Sequence, residues 1–204
     1  MRGFFITLEG GEGVGKSTQA LLLEQALVAQ GVRVLRSREP GGSPGAEALR
    51  GLLLSGQVEW SLLAETMLHV AARAEHVAKA IRPALDAGIW VVCDRFADST
   101  LAYQGFGQGF DHAAIATLGG LIGLVPDLTL VLQASQAVAD ARMLQRGLAA
   151  DRYEKLPPDF HAKVTQGFAA IVKANPERCV AIDADGSRDE IHAAIMAQVG
   201  ARLQ

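Results

Sequence analysis

The 204-residue chain is predicted to fold as a single α/β domain, in which about five parallel strands are flanked by helices. Three observations predict this class. Short apolar runs alternate with helical stretches, glycines and prolines separate the two, and no repeat or low-complexity tract interrupts the pattern. Strands that are separated by helices pair in parallel, because the crossover between them carries the helix. The length suits one domain with a full core.

The first half of the chain is interpreted in order from its apolar pattern. Residues 4–9 form an apolar run that predicts a buried strand. A glycine turn follows, and then a helix over 16–30 that Gly31 is positioned to end. Residues 32–37 predict a second strand. A long amphipathic helix is predicted over 62–86.

The second half supplies three more strands and a last helix. Residues 89–93, Ile-Trp-Val-Val-Cys, are the most strand-like segment of the chain. Residues 127–132 and 179–182 predict two further strands. The last helix begins at Ser187, because Ser187 and Glu190 have the spacing of a capping box.

Composition excludes several classes of protein. Hydrophobic residues make up 50% of the chain, which argues against disorder, and no apolar run reaches the ~18 residues of a membrane span. A net charge of −3 lacks the basic surplus of a nucleic-acid binder. No secretory leader is visible, and the two cysteines, Cys93 and Cys179, fit a reducing compartment as core residues. We therefore expect a cytoplasmic protein whose ligands are small anions, without membrane or nucleic-acid partners.

Residues 10–17, Gly-Gly-Glu-Gly-Val-Gly-Lys-Ser, match the phosphate-loop (P-loop) pattern G-x-x-x-x-G-K-[ST]. The glycines permit a tight turn, so that successive backbone N–H groups point at phosphate oxygens. Lys16 adds a charge at the positive end of the following helix, and the Ser17 hydroxyl can ligate Mg²⁺. The residues predicted to contact a nucleoside triphosphate are Gly10, Gly11, Glu12, Gly13, Val14, Gly15, Lys16, Ser17 and Thr18.

A GTP-dependent switch would carry the same loop, but it would also need an Asn/Thr-Lys-x-Asp element to read guanine. The chain has one asparagine, Asn175, and it precedes Pro176. The sequence therefore favours an enzyme over a switch.

A second polar cluster begins where the strand 89–93 ends, at the edge where open α/β sheets bind ligands. Asp94 is predicted to hold Mg²⁺ or its waters, and Arg95 to clamp a phosphate group with two hydrogen bonds. A salt bridge at the end of the strand stays open as the alternative.

Five segments, in matching order and spacing, resemble the bacterial thymidylate kinases. They are the P-loop, 38–42 (Arg-Glu-Pro-Gly-Gly), 71–73 (Ala-Ala-Arg), 94–105 and 126–130 (Pro-Asp-Leu-Thr-Leu). The resemblance spans nearly the whole chain. It implies a three-layer P-loop kinase fold over 1–204 with a mobile lid at about 142–158. It also implies an enzyme that phosphorylates dTMP to dTDP with ATP and Mg²⁺ as a homodimer.

The resemblance implies a role for each matching position. Arg95 would bind the phosphate of dTMP, and Arg38 and Pro40 would lie in the loop that borders it. Arg73 would hydrogen-bond the edge of thymine. Glu12 would lie near the 3′-hydroxyl of the sugar.

The same resemblance assigns the pocket for the nucleoside. Tyr103 would pack against the sugar and exclude a 2′-hydroxyl. The base pocket would be lined by Ser99, Thr100 and Gln104. His69 would lie against the base, at a position where the family has a phenylalanine.

Phosphoryl transfer needs cations along the path of the moving group, and this P-loop has no arginine. The predicted lid is flanked by or contains Arg142, Arg146 and Arg152. A solvated arginine face stays open as the alternative for Arg142, whereas Arg146 and Arg152 match the family pattern. The predicted catalytic residues are Lys16, Arg95, Arg146, Arg152 and Glu12.

Three positions depart from the family pattern. Leu144 replaces an arginine of the lid, Gln133 stands where an aspartate commonly ends the strand, and His69 replaces the phenylalanine that the family stacks on thymine. These departures bear on rate and base preference. They leave two alternatives open: a P-loop kinase for another monophosphate or a nucleoside, and a catalytically weak regulator that binds nucleotides.

Overall fold

The structure is a computed structural model, and it describes residues 2–147 and 152–201. Within these residues, five strands form one parallel sheet of order β2-β3-β1-β4-β5. The strands are β1 (Phe5–Glu9), β2 (Val34–Arg38), β3 (Trp90–Asp94), β4 (Leu128–Gln133) and β5 (Cys179–Asp183). All five lie where the sequence predicts them, so the predicted parallel α/β fold is confirmed.

Helices connect the strands and cover both faces of the sheet. In chain order they are α1 (Lys16–Ala29), α2 (Pro44–Leu54), α3 (Leu62–His76), α4 (Arg82–Asp86), α5 (Ala97–Thr100), α6 (His112–Ile122), α7 (Gln136–Arg146), α8 (Pro158–Ala174) and α9 (Arg188–Gly200). Two π-helical segments, Val77–Ile81 and Leu101–Gly107, join α3 to α4 and extend α5. Across the described residues, no helix is both long and apolar enough to cross a membrane.

The predicted helix over 62–86 is present as one helical path, and its middle turn is π-helical. The predicted capping box is also present, since the Ser187 side chain accepts from Glu190 N and the Glu190 side chain accepts from Ser187 N. The apolar pattern does not predict helix α2, although Ser43 and Pro44 are residues typical of a helix start. Ser43 caps the helix by accepting a hydrogen bond from Ala46 N, and Pro44 occupies the first turn.

Core side chains pack on both faces of the sheet because the side chains of a strand alternate between those faces. On one face, Ile6 and Leu8 of β1 pack with Leu23 of α1 and Ile195 of α9, all of them buried. On the other face, Phe5 packs edge-on against Phe96, with ring centroids 5.0 Å apart. The result is a three-layer arrangement. Both cysteines are free and buried, as predicted for core residues.

The parallel sheet brings the predicted site residues to one edge. β1 lies between β3 and β4, and its partner at Leu8 is Asp94 of β3. Arg38 at the end of β2 pairs in register with the same Asp94. Because all strands end at this edge, the loops after β1, β2 and β3 meet there, at the point where the chain order of the sheet reverses.

The predicted lid, 142–158, is only partly described. Residues 148–151 and the side chain of Arg146 lie outside the described part of the structure. The segment before Gly147 belongs to α7, and α8 begins at Pro158. Tyr153 differs from the expectation of an unpacked loop, because its ring is buried in a cluster with Tyr103 and Phe160.

Candidate active site

A cavity of about 530 Å³ opens at this edge of the sheet. It runs from the P-loop, past the ends of β2 and β3, to α3 and the π-helical segment after α5. Of the predicted site residues whose side chains are described, Gly10, Gly11 and Arg152 do not line it. The others do: Glu12, Gly13, Val14, Gly15, Lys16, Ser17, Thr18, Arg38, Pro40, His69, Arg73, Asp94, Arg95, Ser99, Thr100, Tyr103 and Gln104. One cavity therefore joins the two predicted halves of the site.

The P-loop wraps the start of α1. Gly13 has a φ of +71°, and a Cβ at this position would lie 2.4 Å from the backbone oxygen of Ala139, so the close approach of α7 requires glycine. The Lys16 side chain is buried, and its Nζ donates to Gly11 O at 2.5 Å. Burial and the charge of Arg95 lower the pKa of Lys16 to about 8. Negatively charged phosphate groups would oppose this shift and hold the amine in its charged form.

Ser17 and Asp94 form the candidate metal position. The Ser17 hydroxyl, in the first turn of α1, donates a hydrogen bond to the Asp94 carboxylate at the end of β3. Among residues 2–147 and 152–201, no group of three or more His, Cys, Asp or Glu side chains could hold a metal. Mg²⁺ needs few protein ligands when phosphates and waters supply the rest, and it prefers hydroxyl and carboxylate oxygens. The pair therefore fits Mg²⁺.

Arg95 adopts a left-handed backbone conformation with φ 68°, which aims its side chain back across the P-loop. Its Nη2 donates to Glu12 Oε1 at 2.7 Å, and its Nη1 donates to Gly10 O at 3.0 Å and to Ser99 Oγ at 3.2 Å. The guanidinium also lies over the Tyr103 ring, 4.9 Å from its centroid. The ion pair of Arg95 is thus with Glu12 of the P-loop.

Glu12 is held as a carboxylate inside the cavity. Burial opposes ionisation, but the charges of Arg95 and Lys16 and a hydrogen bond from Tyr103 outweigh it and lower the pKa of Glu12 to about 2. The Tyr103 hydroxyl supplies that bond at 2.7 Å. The carboxylate therefore stays an acceptor at neutral pH.

Glu9, which the sequence-based prediction does not include, supports the loop that carries Arg95. Its Oε1 accepts from Phe96 N at 2.8 Å, and its Oε2 accepts from Ser99 Oγ at 2.6 Å. Burial, together with the charge of Asp98, raises the pKa of Glu9 above its usual value. An acidic residue that ends an otherwise apolar buried strand is the sequence signal that indicates such a role.

Arg73 is fixed in a buried position at the far end of the cavity. Its Nε donates to Glu39 Oε2 at 2.7 Å, and its Nη2 donates to Phe96 O and to Thr100 Oγ1, both at 2.9 Å. Glu39 also contacts His76, whose Nδ1 lies 3.1 Å from Glu39 Oε1. Glu39 therefore holds the Arg73 side chain in place. From the sequence it is only a member of the segment 38–42, with no role assigned to it.

The two arginines of the predicted lid whose side chains are described, Arg142 and Arg152, are placed differently. Arg142 lines the cavity, and its guanidinium donates to Ala184 O at 2.8 Å and to Gly186 O at 3.0 Å. Arg152 instead forms an ion pair with Glu65, a buried residue of α3. In this structure, the charge of Arg152 is therefore paired with a carboxylate of α3.

Two of the residues predicted to line the base pocket, His69 and Gln104, meet at α3. His69 lines the cavity, and its Nε2 lies 2.8 Å from the hydroxyl of Tyr153. Gln104 Nε2 donates to Glu65 Oε1 at 3.1 Å and to Tyr153 OH at 3.2 Å. Glu65 and Tyr153 are not among the predicted site residues, and no local motif marks them.

Comparison with known proteins identifies the relatives of the chain. The family model described as "Thymidylate kinase" matches residues 8–195. The thymidylate kinase of Gluconobacter oxydans is 51% identical over 97% of this chain and 94% of its own, and that of Chromohalobacter salexigens is 49% identical over 98% and 97%. The crystal structure of thymidylate kinase from Ehrlichia chaffeensis superposes with a TM-score of 0.80 at 35% identity, covering 98% of this chain and 99% of that one.

Proposed function

The chain belongs to the thymidylate kinase family, and on that premise we propose that it transfers the γ-phosphoryl group of ATP to dTMP, giving dTDP and ADP. One feature of the candidate active site supports this proposal most directly. A single cavity joins the P-loop to Arg95, Tyr103 and Arg73, so a triphosphate and a nucleoside monophosphate can lie end to end in it.

The donor side is proposed to be the P-loop. Its backbone N–H groups and the start of α1 would bind the phosphates of ATP. Lys16 would stabilise the negative charge on the phosphoryl group as it is transferred. Ser17 and Asp94 would hold Mg²⁺, which would neutralise part of the negative charge on these phosphates.

The acceptor side is proposed to begin at Arg95. Its guanidinium would bind the phosphate of dTMP, next to the loop that carries Arg38 and Pro40. Glu12, which is ionised, would accept a hydrogen bond from the 3′-hydroxyl of the sugar. The ring of Tyr103 would pack where a 2′-hydroxyl would project.

The base is proposed to lie between α3 and the segment that carries Ser99, Thr100 and Gln104. Arg73, which Glu39 and Thr100 fix in place, would meet the edge of the base, and His69 would lie against its ring. A pocket whose donors are fixed before binding loses little conformational entropy on binding.

The cations that stabilise the transition state are proposed to come from α7 and the segment after it. Arg146 and Arg152 are proposed on the family pattern, and Arg142 is a further candidate because it lines the cavity. Arg152 is paired with Glu65 here and does not line the cavity, so its side chain would have to move to reach the phosphates.

We also propose that the whole chain is one domain and that two copies form a homodimer. The exposed apolar side chains Met67 of α3 and Leu121 of α6 support a dimer, because both line one shallow apolar groove on the surface. A cytoplasmic location stays a prediction.

A coupled assay of ADP release, run with and without dTMP, tests the proposed function. We expect ADP release that depends on dTMP and Mg²⁺ and that falls when dUMP, dCMP, dGMP, dAMP or thymidine replaces dTMP. Faster turnover of another monophosphate or of thymidine would favour a different P-loop kinase. Binding of ATP and dTMP without ADP release would favour a nucleotide-binding regulator.

A further inference from the structure

A cluster of buried polar side chains lies behind the base end of the cavity, centred on Glu65 of α3. Glu65 Oε1 accepts from Tyr153 OH at 2.9 Å, from Gln108 Nε2 at 3.0 Å and from Gln104 Nε2 at 3.1 Å. The other carboxylate oxygen pairs with Arg152. The cluster joins α3, the π-helical segment Leu101–Gly107 with the Gln108 that follows it, and the part of the predicted lid from Arg152 onward.

Glu65 is ionised in this cluster. Burial opposes ionisation, but hydrogen bonds from Gln108 and Tyr153 and the charge of Arg152 outweigh it and hold the pKa of Glu65 below its usual value. A carboxylate accepts hydrogen bonds and cannot donate them. The groups that face Glu65 Oε1 must therefore be donors.

This requirement fixes the direction of the neighbouring hydrogen bond. A phenol has one hydrogen, and in Tyr153 it must point to Glu65, because otherwise a carboxylate oxygen would face a phenolic lone pair at 2.9 Å. The Tyr153 oxygen can then only accept from His69 Nε2, 2.8 Å away. His69 Nε2 must carry the proton.

The same geometry fixes the charge and tautomer of His69. Burial and the charge of Arg73 lower its pKa to about 4, so the ring is neutral at neutral pH. With Nε2 protonated, Nδ1 is an acceptor. The Tyr153 hydroxyl thus sets both the orientation of the imidazole and which of its nitrogens can donate.

We propose that Tyr153 is a positioning residue for the nucleobase, which acts through His69 by holding its ring in one orientation and one tautomer. The proposal rests on the proposed function, since it takes His69 as a wall of the base pocket. A phenylalanine at position 69 has no nitrogen to bond to Tyr153. The effect of the Tyr153 hydroxyl that runs through His69 is therefore lost when His69 is replaced, whereas its contact with Gln104 Nε2 at 3.2 Å remains.

A double-mutant cycle tests this dependence. The affinity for dTMP is measured by calorimetry in the wild type, Tyr153→Phe, His69→Phe and the double variant. We expect Tyr153→Phe to weaken dTMP binding roughly 2- to 12-fold, as loss of one hydrogen bond of about 0.5–1.5 kcal/mol would do. In the His69→Phe background, where only the contact with Gln104 remains, the effect should be clearly smaller. Affinity for ADP should be equal in all four proteins.

A merely structural role of the hydroxyl would weaken dTMP binding by the same factor in both backgrounds, and that result would overturn the proposal. His161→Phe is the matched control, because His161 Nε2 contacts Leu156 O at 3.1 Å and the residue does not line the cavity. The effect of Tyr153→Phe should be unchanged in that background.

Nitrogen NMR of the wild type, with His69 assigned from the His69→Phe spectrum, reads the tautomer directly and does not depend on how well Tyr153→Phe folds. We expect a proton on Nε2 and none on Nδ1, and the opposite tautomer would refute the inference. A wild type that does not phosphorylate dTMP would instead contradict the proposed function. If the wild type is active but the effects of the two substitutions on dTMP affinity simply add, only this inference is contradicted.

Discussion

The phenolic oxygen of Tyr103 lies 2.7 Å from Glu12 Oε1 and donates a hydrogen bond to it. Glu12 belongs to the P-loop, and Tyr103 belongs to the π-helical segment after α5, so this bond connects the proposed donor and acceptor sides. Arg95 completes the contact, because it pairs with Glu12 and lies over the Tyr103 ring. A substitution of any of these three residues should therefore affect both the proposed donor side and the proposed acceptor side.

The first prediction concerns the sugar. The ring of Tyr103 is held by Glu12 at one end and by edge-on contacts with Tyr153 and Phe160, so it cannot easily move away from a 2′-hydroxyl. We expect kcat/KM for dTMP to exceed that for ribothymidine monophosphate by roughly 5- to 150-fold, as an overpacking cost of about 1–3 kcal/mol implies. Tyr103→Phe should keep the preference and Tyr103→Ala should lose most of it. Equal kcat/KM for the two substrates in the wild type would exclude Tyr103 as the discriminator.

The second prediction concerns Lys16. Lys16→Ala should lower kcat by at least about 10²-fold, because the amine, which is buried, is the full charge that the P-loop is proposed to place beside the phosphates. Lys173→Ala, on the exposed end of α8, is the control and should leave kcat unchanged. Circular dichroism should show that both variants are folded. Near-normal ADP release by a folded Lys16→Ala protein would mean that the P-loop is not the donor site.

The third prediction separates the roles of the arginines near the lid. An arginine that stabilises the transition state can contribute roughly 10³–10⁵ in rate, so Arg146→Ala and Arg152→Ala should each lower kcat far more than they raise KM for dTMP. Glu65→Gln provides the comparison for Arg152, because it removes the charge that pairs with this arginine. A different result, in which Arg152→Ala and Glu65→Gln both raise KM for dTMP while kcat stays nearly constant, would mean that Arg152 supports the base pocket and does not stabilise the transition state. If Arg146→Ala and Arg152→Ala each change kcat by no more than a few fold, another cation must stabilise the transition state. In that case we expect Arg142→Ala to lower kcat strongly.

The fourth prediction concerns His69 and base affinity. A phenyl ring offers more area for stacking than an imidazole, so His69→Phe should tighten dTMP binding roughly 2- to 10-fold. Because the pKa of His69 is about 4, this ratio should stay constant between pH 6 and 8 and grow only as the pH approaches 4. Calorimetry on both proteins across pH 4.5 to 8 measures it, and the titration of the dTMP phosphate cancels in the ratio. Identical affinities at every pH would place His69 away from the base.

The fifth prediction follows from the same depressed pKa and concerns stability. The unfolded chain has a histidine pKa near 6.5, so between pH 6.5 and about 4 it binds a proton that the folded chain does not. The stability that His69 contributes is therefore present above pH 6.5 and lost as the pH falls through that window, with a slope of at most about 1.4 kcal/mol per pH unit. Urea unfolding of the wild type and His69→Phe should show the steeper acid loss in the wild type. Parallel curves would mean that His69 titrates normally in the fold.

The sequence alone determined the elements that depend on neighbouring residues. The P-loop, the five strands and the capping box at Ser187 are each encoded within a few consecutive positions, where spacing and backbone preference act directly. The parallel order of the strands then brings Asp94 and Arg95 to the P-loop, because the ends of parallel strands share one edge. For these parts, local pattern and topology are sufficient.

Only the tertiary structure decided how the side chains of the site pair. Glu39 meets Arg73 across 34 positions, Tyr153 meets Glu65 across 88, and Arg152 is paired with the same Glu65. A sequence shows that these residues carry charge or a hydroxyl, but it does not show which partner each one finds. That choice depends on burial, since a charge removed from water must be paired with whatever the packing of distant segments brings beside it.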